Sequence, residues 1–312
     1  MKSRGVALAA AALVVAGCKA DPTPSGEPKP ARDAGAERPR ETAILTAVAI
    51  ERIEPAKPLP IRDEDLTRRL GALLTSSPAF LEAGEKPPAG RVAVPAVVAV
   101  TLRYDVVTPP ARAARRVAVV GVEAEVDWKT SGERMAPREN VLIERPLEKA
   151  DEARLGPLML ELAAQAVEQA GRGLVAKESL RQGEDGAVLA ALGQPDPDLV
   201  LWALDLCAAR RLAGAFDRAI ALLDASDPGV QAAALRVLVA LRDPRAVEPL
   251  ARRADFADPD TMRALVEAVS AIGGPEAIEF LEMVAGGHAE ADMRQRAREG
   301  LERLGRRQRK DP

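Results

Sequence analysis

The chain has 312 residues, room for two ordinary domains. Its apolar residues are mostly Ala, Val and Leu, and only 2% are aromatic, which favours closely packed helices over an aromatic-rich barrel. Lys and Arg number 44 against 47 Asp and Glu, interspersed, for a net charge of -3; no global basic field exists to draw in nucleic acid.

Residues 1–17 follow the plan of a secretory signal. Lys2 and Arg4 give a positive start, and Gly5 to Ala16 form an apolar run too short to span a bilayer comfortably. Small residues then precede Cys18. Residues 18–41 begin "CKADPTPSGEPKPARDAGAERPRE", a Pro-rich polar run that cannot build a core and reads as an extended tether.

The stretch Val15-Ala16-Gly17-Cys18 resembles the lipobox of bacterial lipoproteins. The resemblance implies cleavage before Cys18, a diacylglycerol on its thiol and usually a further acyl chain on the new amino terminus, a combination that anchors stably where one chain does not. The alternative is an ordinary signal peptide with a chance cysteine. Lys19 stands where Asp is the familiar inner-membrane retention signal, so by analogy the cell envelope's outer membrane is favoured over the inner. With Cys18 so used, Cys207 has no intrachain partner; inside "VLWALDLCAARRL" it reads as a small buried hydrophobe.

Residues 42–180 read as an α+β domain with the order β-α-β-β-β-α. "TAILTAVAIERI" is a strand. "RDEDLTRRLGALL" is a helix that Asp63 is placed to cap, with Leu66, Leu70, Leu73 and Leu74 on one face. In "VAVPAVVAVTLRYDV" the residues Val92, Val94, Ala96, Val98, Val100, Leu102 and Tyr104 alternate, and Pro95 points to an edge or a bulge. In "RVAVVGVEAEVDW" the set Val120, Val122, Ala124, Val126 and Trp128 alternates with Gly121, Glu123, Glu125 and Asp127, a half-buried strand with a wet face. The loop "TPPARAA" makes these two an antiparallel pair. The turn "KTSGE" leads to a strand near "ENVLIER". A helix from about Glu152 to Leu180 follows, with Leu158, Leu162, Ala166, Val167 and Ala170 as its stripe, and "GRG" at 171–173 reads as its end or a bend. Element order and the "TSGE" turn resemble small envelope domains such as the amino-terminal domain of TolB and the lipoprotein activators of penicillin-binding proteins; no functional residue is carried across.

Residues 184–308 repeat themselves. Asp196-Pro197, Asp227-Pro228 and Asp258-Pro259 are spaced by 31 residues. Asp accepts from free amides of a helix's first turn, and Pro lacks the amide that would be orphaned there, so each dipeptide opens a helix. Leu204, Leu235 and Val266 keep the same step, as do Cys207, Leu238 and Val269; Asp243-Pro244 and Gly274-Pro275 open second helices. The best copy, "SDPGVQAAALRVLVALRDPRAVEPLARRA", resembles the short HEAT-like repeats of bacteria, also found in phycobilisome lyases, and the resemblance covers about residues 187–305. It implies an all-α solenoid of three helix pairs, with "AVLAALG" as an incomplete leading unit and "EADMRQRAREGLERLG" as a capping helix. The first unit departs from the pattern, with Arg210 where Leu241 and Ile272 stand. No low-complexity spacer separates the two parts, which makes the α+β domain a cap for the array.

No catalytic set emerges. His288, the single histidine, lies in "AGGHAEAD" and reads as a solvated loop side chain. No cysteine cluster, "GxSxG" elbow, P-loop or dinucleotide fingerprint is present, so no metal, cofactor or catalytic residue is expected. Glu123, Glu125 and Asp127 share a strand face and read as solvated. "RAARR" (112–116) and "RRQRK" (306–310) are basic patches, the latter read as a frayed tail. The leading expectation is a non-enzymatic lipoprotein, held on a membrane by its lipid, that binds an envelope protein through the repeats and no nucleic acid. The alternatives are a regulator or assembly factor of an envelope enzyme acting through the α+β domain, and a lyase-like enzyme.

Overall fold

The computed structural model describes residues 40–53, 63–108, 116–129, 135–254, 256 and 258–309. The signal segment, Cys18, nearly all of the tether, the side chain of Asp63, most of the "TPPARAA" and "RAARR" loop, the "TSGE" turn and Lys310 lie outside these residues.

Five strands form one mixed sheet in the order β2-β1-β3-β4-β5: β1 Arg40–Ile53, β2 Phe80–Glu82, β3 Arg91–Val107, β4 Val117–Trp128 and β5 Arg138–Pro146. β1 runs parallel to β2 and β3, while β3–β4 and β4–β5 are antiparallel. The three-residue β2 adds a strand to the expected order. Helix α1 (Asp63–Thr75) connects β1 towards β2, and α2 (Leu155–Gln182), entered through a 3₁₀ turn at Lys149–Arg154, follows β5.

Alternation decides which face of the sheet is covered. Ala96, Val98, Val100, Leu102 and Tyr104 of β3 and Val120, Val122, Ala124 and Val126 of β4 are buried against Leu66, Leu70 and Leu74 of α1 and Leu158, Leu162, Ala166, Val167 and Ala170 of α2. Val92 does not join them: it is 48% exposed at the end of β3. Pro95 is not on an edge, because β3 lies between β1 and β4. Its carbonyl accepts from Lys129 just past the end of β4, so its missing amide removes only a terminal rung. The bulge falls on the neighbouring strand, between Leu45 and Ala47 of β1, where Thr46 Oγ1 donates to the Ala96 carbonyl at 2.9 Å.

The helix α2 passes through Gly171 and Gly173 without ending, so of the two readings of "GRG", an end or a bend, the end is overturned. Both glycines serve close approach. A Cβ on Gly171 would lie 2.6 Å from Leu70 Cδ1 of α1, and one on Gly173 would lie 2.3 Å from the Glu139 carboxyl of β5.

The rest of the chain is helical: α3 Asp185–Ala191, α4 Pro197–Arg210, α5 Phe216–Leu222, α6 Pro228–Leu241, α7 Val247–Ala251, α8 Pro259–Ile272, α9 Pro275–Gly287 and α10 Ala291–Gln308. A 3₁₀ turn precedes α5 and another precedes α7. The helices α4, α6 and α8 each start one residue after an aspartate whose carboxylate accepts a first-turn amide: Asp196 from Asp198, Asp227 from Val230 and Asp258 from Asp260. Pro197, Pro228 and Pro259 occupy the first helical position. Two of the helices end alike, with Arg211 and Arg242 in the left-handed conformation at φ 52, which only glycine takes freely; α8 ends on Gly273 at φ 81 in a different, extended conformation. Leu204, Cys207, Leu238, Val266, Val269 and Leu281 are fully buried in a second core that runs through the array. The helix α10 includes Arg306 and Arg307, and Arg307 donates to the Ala271 carbonyl at 3.3 Å, so the start of this basic stretch is helical rather than frayed.

Candidate functional site

Two parts of one body meet at the carboxyl-terminal end of α2, and the joint is polar. Glu178, fully buried, accepts two hydrogen bonds from Arg181 and one from Gln182, all at 2.8 Å. Gln182 passes the network on, donating to the Ala79 carbonyl at 2.7 Å and accepting from Arg91 at 2.7 Å. The Arg181 guanidinium lies 4.6 Å over the Trp128 ring and 3.7 Å from Glu41. Lys177 Nζ sits 2.8 Å from Glu139 and donates to the Arg138 carbonyl at 2.6 Å. Burial pushes the Glu139 carboxyl above the ordinary carboxylate range, against the pull of Lys177.

The array closes onto this joint. Trp202 Nε1 of α4 donates to the Lys177 carbonyl at 2.8 Å. Arg210 donates to the carbonyls of Arg181 at 2.6 Å and Gly183 at 3.1 Å, and to Asp185 at 3.0 Å. The departure of the first unit from the repeat pattern thus has a physical reason. Leu241 and Ile272 pack into the array's apolar core, whereas Arg210 meets the open carbonyls at the end of α2, where a cation also complements the helix dipole. A cleft of 370 Å³ beside the joint is lined by Arg138, Lys177, Asp198, Trp202 and Asp205 among others. Of its charged groups, Lys177 pairs with Glu139, Arg138 with Glu125 and Asp205 with Arg236.

Along the array, equivalent positions present ordered rows to solvent. On the first helices of each pair Asp205, Arg236 and Glu267 alternate in sign, and Asp205–Arg236 pairs at 2.7 Å; Arg296 of α10 continues the row with Glu267 at 3.3 Å. On the second helices Asp217, Glu248 and Glu279 are exposed and recur every 31 residues. Arg253 ties one unit to the unit before it through Asp224 at 2.5 Å, which holds the Asp224 carboxyl below its usual range. The cap residues Asp196, Asp227 and Asp258 satisfy helix amides, and Thr261 and the Asp260 amide lower the Asp258 carboxyl in the same way.

The sheet face away from the helices is open. A groove of 500 Å³ there is lined by Ile53, Arg103, Gly121, Glu123, Asn140 and Leu142 among others, with Leu142 66% and Ile53 47% exposed. The three acids of β4 are each matched by a cation: Glu123 with Arg103 at 3.4 Å, Glu125 with Arg138 at 2.7 Å, and Asp127 with Lys129.

His288 differs from its expected solvated state. It is 5% exposed, caps α9, accepts from the Glu290 amide at Nδ1 over 3.1 Å, and lies 5.8 Å from the Phe256 ring. Cys207 is buried and its thiol is pushed up to about 11 by burial. Among the described residues no group of three or more His, Cys, Asp or Glu is placed to hold a metal ion, and no helix is long and apolar enough to cross a membrane. Cys18, the residue expected to carry lipid, lies outside the described residues.

Comparison with known proteins gives one partial match by sequence. Residues 216–302 match the family profile of HEAT repeats. No curated protein matches the chain. Among solved structures, the chain is similar to a minor lipoprotein from Acinetobacter baumannii, at 14% identity over 43% of this chain and 93% of that one, with a TM-score of 0.29. It is also similar to a hypothetical protein from Chlamydia trachomatis, at 15% identity over 45% and 96%, with a TM-score of 0.30.

Proposed function

We propose that this protein is a non-enzymatic interaction scaffold of the bacterial cell envelope, anchored by lipid on Cys18, with the outer membrane as its site. The observation that carries the reading is the repeat array: residues 216–302 match HEAT repeats, and neighbouring units present ordered rows of charge on a continuous surface, the form in which solenoids bind other proteins. The partner is another envelope protein. The exposed row Asp217, Glu248 and Glu279 fits a basic surface on it.

The test is capture from envelope extract. The protein retains a specific partner, and the triple variant Asp217→Lys, Glu248→Lys, Glu279→Lys loses it while keeping its helical circular dichroism. Equal capture by both proteins would sink the assignment to this surface. Anchoring is tested separately: cells fed a palmitate analogue label the protein, and the Cys18→Ala variant carries no label. Label retained in that variant would refute the anchor.

A second reading, a regulator of an envelope enzyme acting through the α+β domain, is favoured by the open groove over Gly121. Under it, Gly121→Phe, which fills the groove floor, abolishes capture and the triple variant does not.

A further inference from the structure

The strand β5 forms one edge of the sheet, and its backbone pattern singles out a partner. The Val126 amide donates to the Pro137 carbonyl at 3.1 Å and the Leu147 amide to the Arg116 carbonyl at 2.8 Å. Along an antiparallel strand, the side to which a residue turns both main-chain groups alternates. Odd-numbered residues of β5 therefore bond β4, and the main-chain groups of Arg138, Asn140, Leu142, Glu144 and Pro146 point outward. Both ends of that row are closed. Lys177 already donates to the Arg138 carbonyl at 2.6 Å, and Pro146 has no amide to offer. Among the described residues, what stays open is Asn140, Leu142 and Glu144, a set symmetric about Leu142, and all three side chains are exposed.

We propose that β5 pairs antiparallel with β5 of a second copy of this chain, with Leu142 on the two-fold axis and Asn140 of each copy opposite Glu144 of the other. A two-fold contact needs a self-complementary surface, and this edge has one. Centring on Leu142 sets every open residue against an open residue. Centring on Val141 would set Glu144 against Arg138, whose carbonyl is taken. In the Leu142 register the two most exposed leucines cover each other, and the Asn140 amide has hydrogens for the Glu144 carboxylate. Between Asn140 and Glu144 the edge holds no lysine, proline or bulge, and its register with β4 is unbroken from Arg138 to Pro146; the charges and the proline that guard it stand at its two ends. This inference is independent of the scaffold reading, which concerns the repeats.

The test uses the full chain in a Cys18→Ala background, which leaves the buried Cys207 as its only native thiol. Directly hydrogen-bonded antiparallel partners have Cα atoms about 5.5 Å apart, within disulfide reach. Leu142→Cys is expected to cross-link to itself under mild oxidation. Asn140→Cys and Glu144→Cys are expected to cross-link to each other when mixed, and not to themselves. In sedimentation equilibrium the Cys18→Ala chain dimerises reversibly, and Leu142→Lys, which sets like charges at the axis, weakens the dimer about tenfold or more while leaving unchanged the urea midpoint measured at a concentration where both proteins are monomeric. A chain monomeric at all concentrations overturns the proposal, including the case in which β5 takes a strand from a different protein. So does self-cross-linking at Asn140 or Glu144 as fast as at Leu142, or a dimer indifferent to Leu142→Lys.

Discussion

Replacing Arg210 by leucine restores the residue type of the other two repeat units and removes the clamp on α2. Two charge-assisted hydrogen bonds, to the Arg181 carbonyl at 2.6 Å and the Gly183 carbonyl at 3.1 Å, are lost. Bonds to a charged group are worth ~1.5–3 kcal/mol each. The Arg210 side chain is 26% exposed, so water reaches the freed carbonyls and the lower figure applies, giving about 3 kcal/mol. The Asp185 partner is 62% exposed and adds only a few tenths, about 0.5 kcal/mol. The leucine returns part of this through its own burial, about 1–1.5 kcal/mol. A net loss of about 2 kcal/mol is expected. Urea denaturation followed by tryptophan fluorescence is the assay, because both tryptophans of the chain border this joint: Trp128 lies under Arg181, and Trp202 bonds the Lys177 carbonyl. Arg210→Lys keeps the charge but not the two-armed geometry and recovers less than half. A leucine variant within about 0.5 kcal/mol of the parent, a typical surface effect, would refute the clamp.

Gly171→Ala gains about 1 kcal/mol of helix propensity but drives a methyl to 2.6 Å from Leu70 Cδ1; overpacking of about 1–3 kcal/mol leaves a net loss, read as a lower Tm. Arg242→Gly relieves a left-handed arginine at φ 52 and raises the Tm, by up to about 1 kcal/mol in stability; a lower Tm would count against strain there. In the Cys18→Ala protein the Cys207 thiol, raised to about 11 by burial, stays unreactive to a thiol reagent at neutral to mildly alkaline pH until urea unfolds the chain. Because the unfolded thiol ionises first, stability falls as pH rises from the ordinary thiol range towards about 11, and Cys207→Val removes that slope.

The parts of the fold written in local chemistry were legible in the sequence. Asp-Pro at a fixed step names helix starts through cap and amide logic alone, and strict alternation in β3 and β4 names the buried face. What depended on distant neighbours was not. Gly171 and Gly173 read as an end or a bend because a glycine needed for close approach carries no mark separating it from one needed for a turn; Leu70 and Glu139 supply the reason from 101 and 34 positions away. The three residues of β2 are too few to show a period. His288 read as solvated because its burial comes from packing. The joint itself was illegible except at one point, Arg210, whose mismatch with Leu241 and Ile272 was visible while its purpose was not.

That mismatch bears on how the array keeps count. Units built on one pattern can in principle slip by a whole repeat, each docking where its neighbour belongs. Here a slip of 31 residues would bring Leu241 to the carbonyls of Arg181 and Gly183, and leucine has nothing to donate. The single arginine gives the otherwise periodic array an origin: among the three units, only the one that carries Arg210 can stand first.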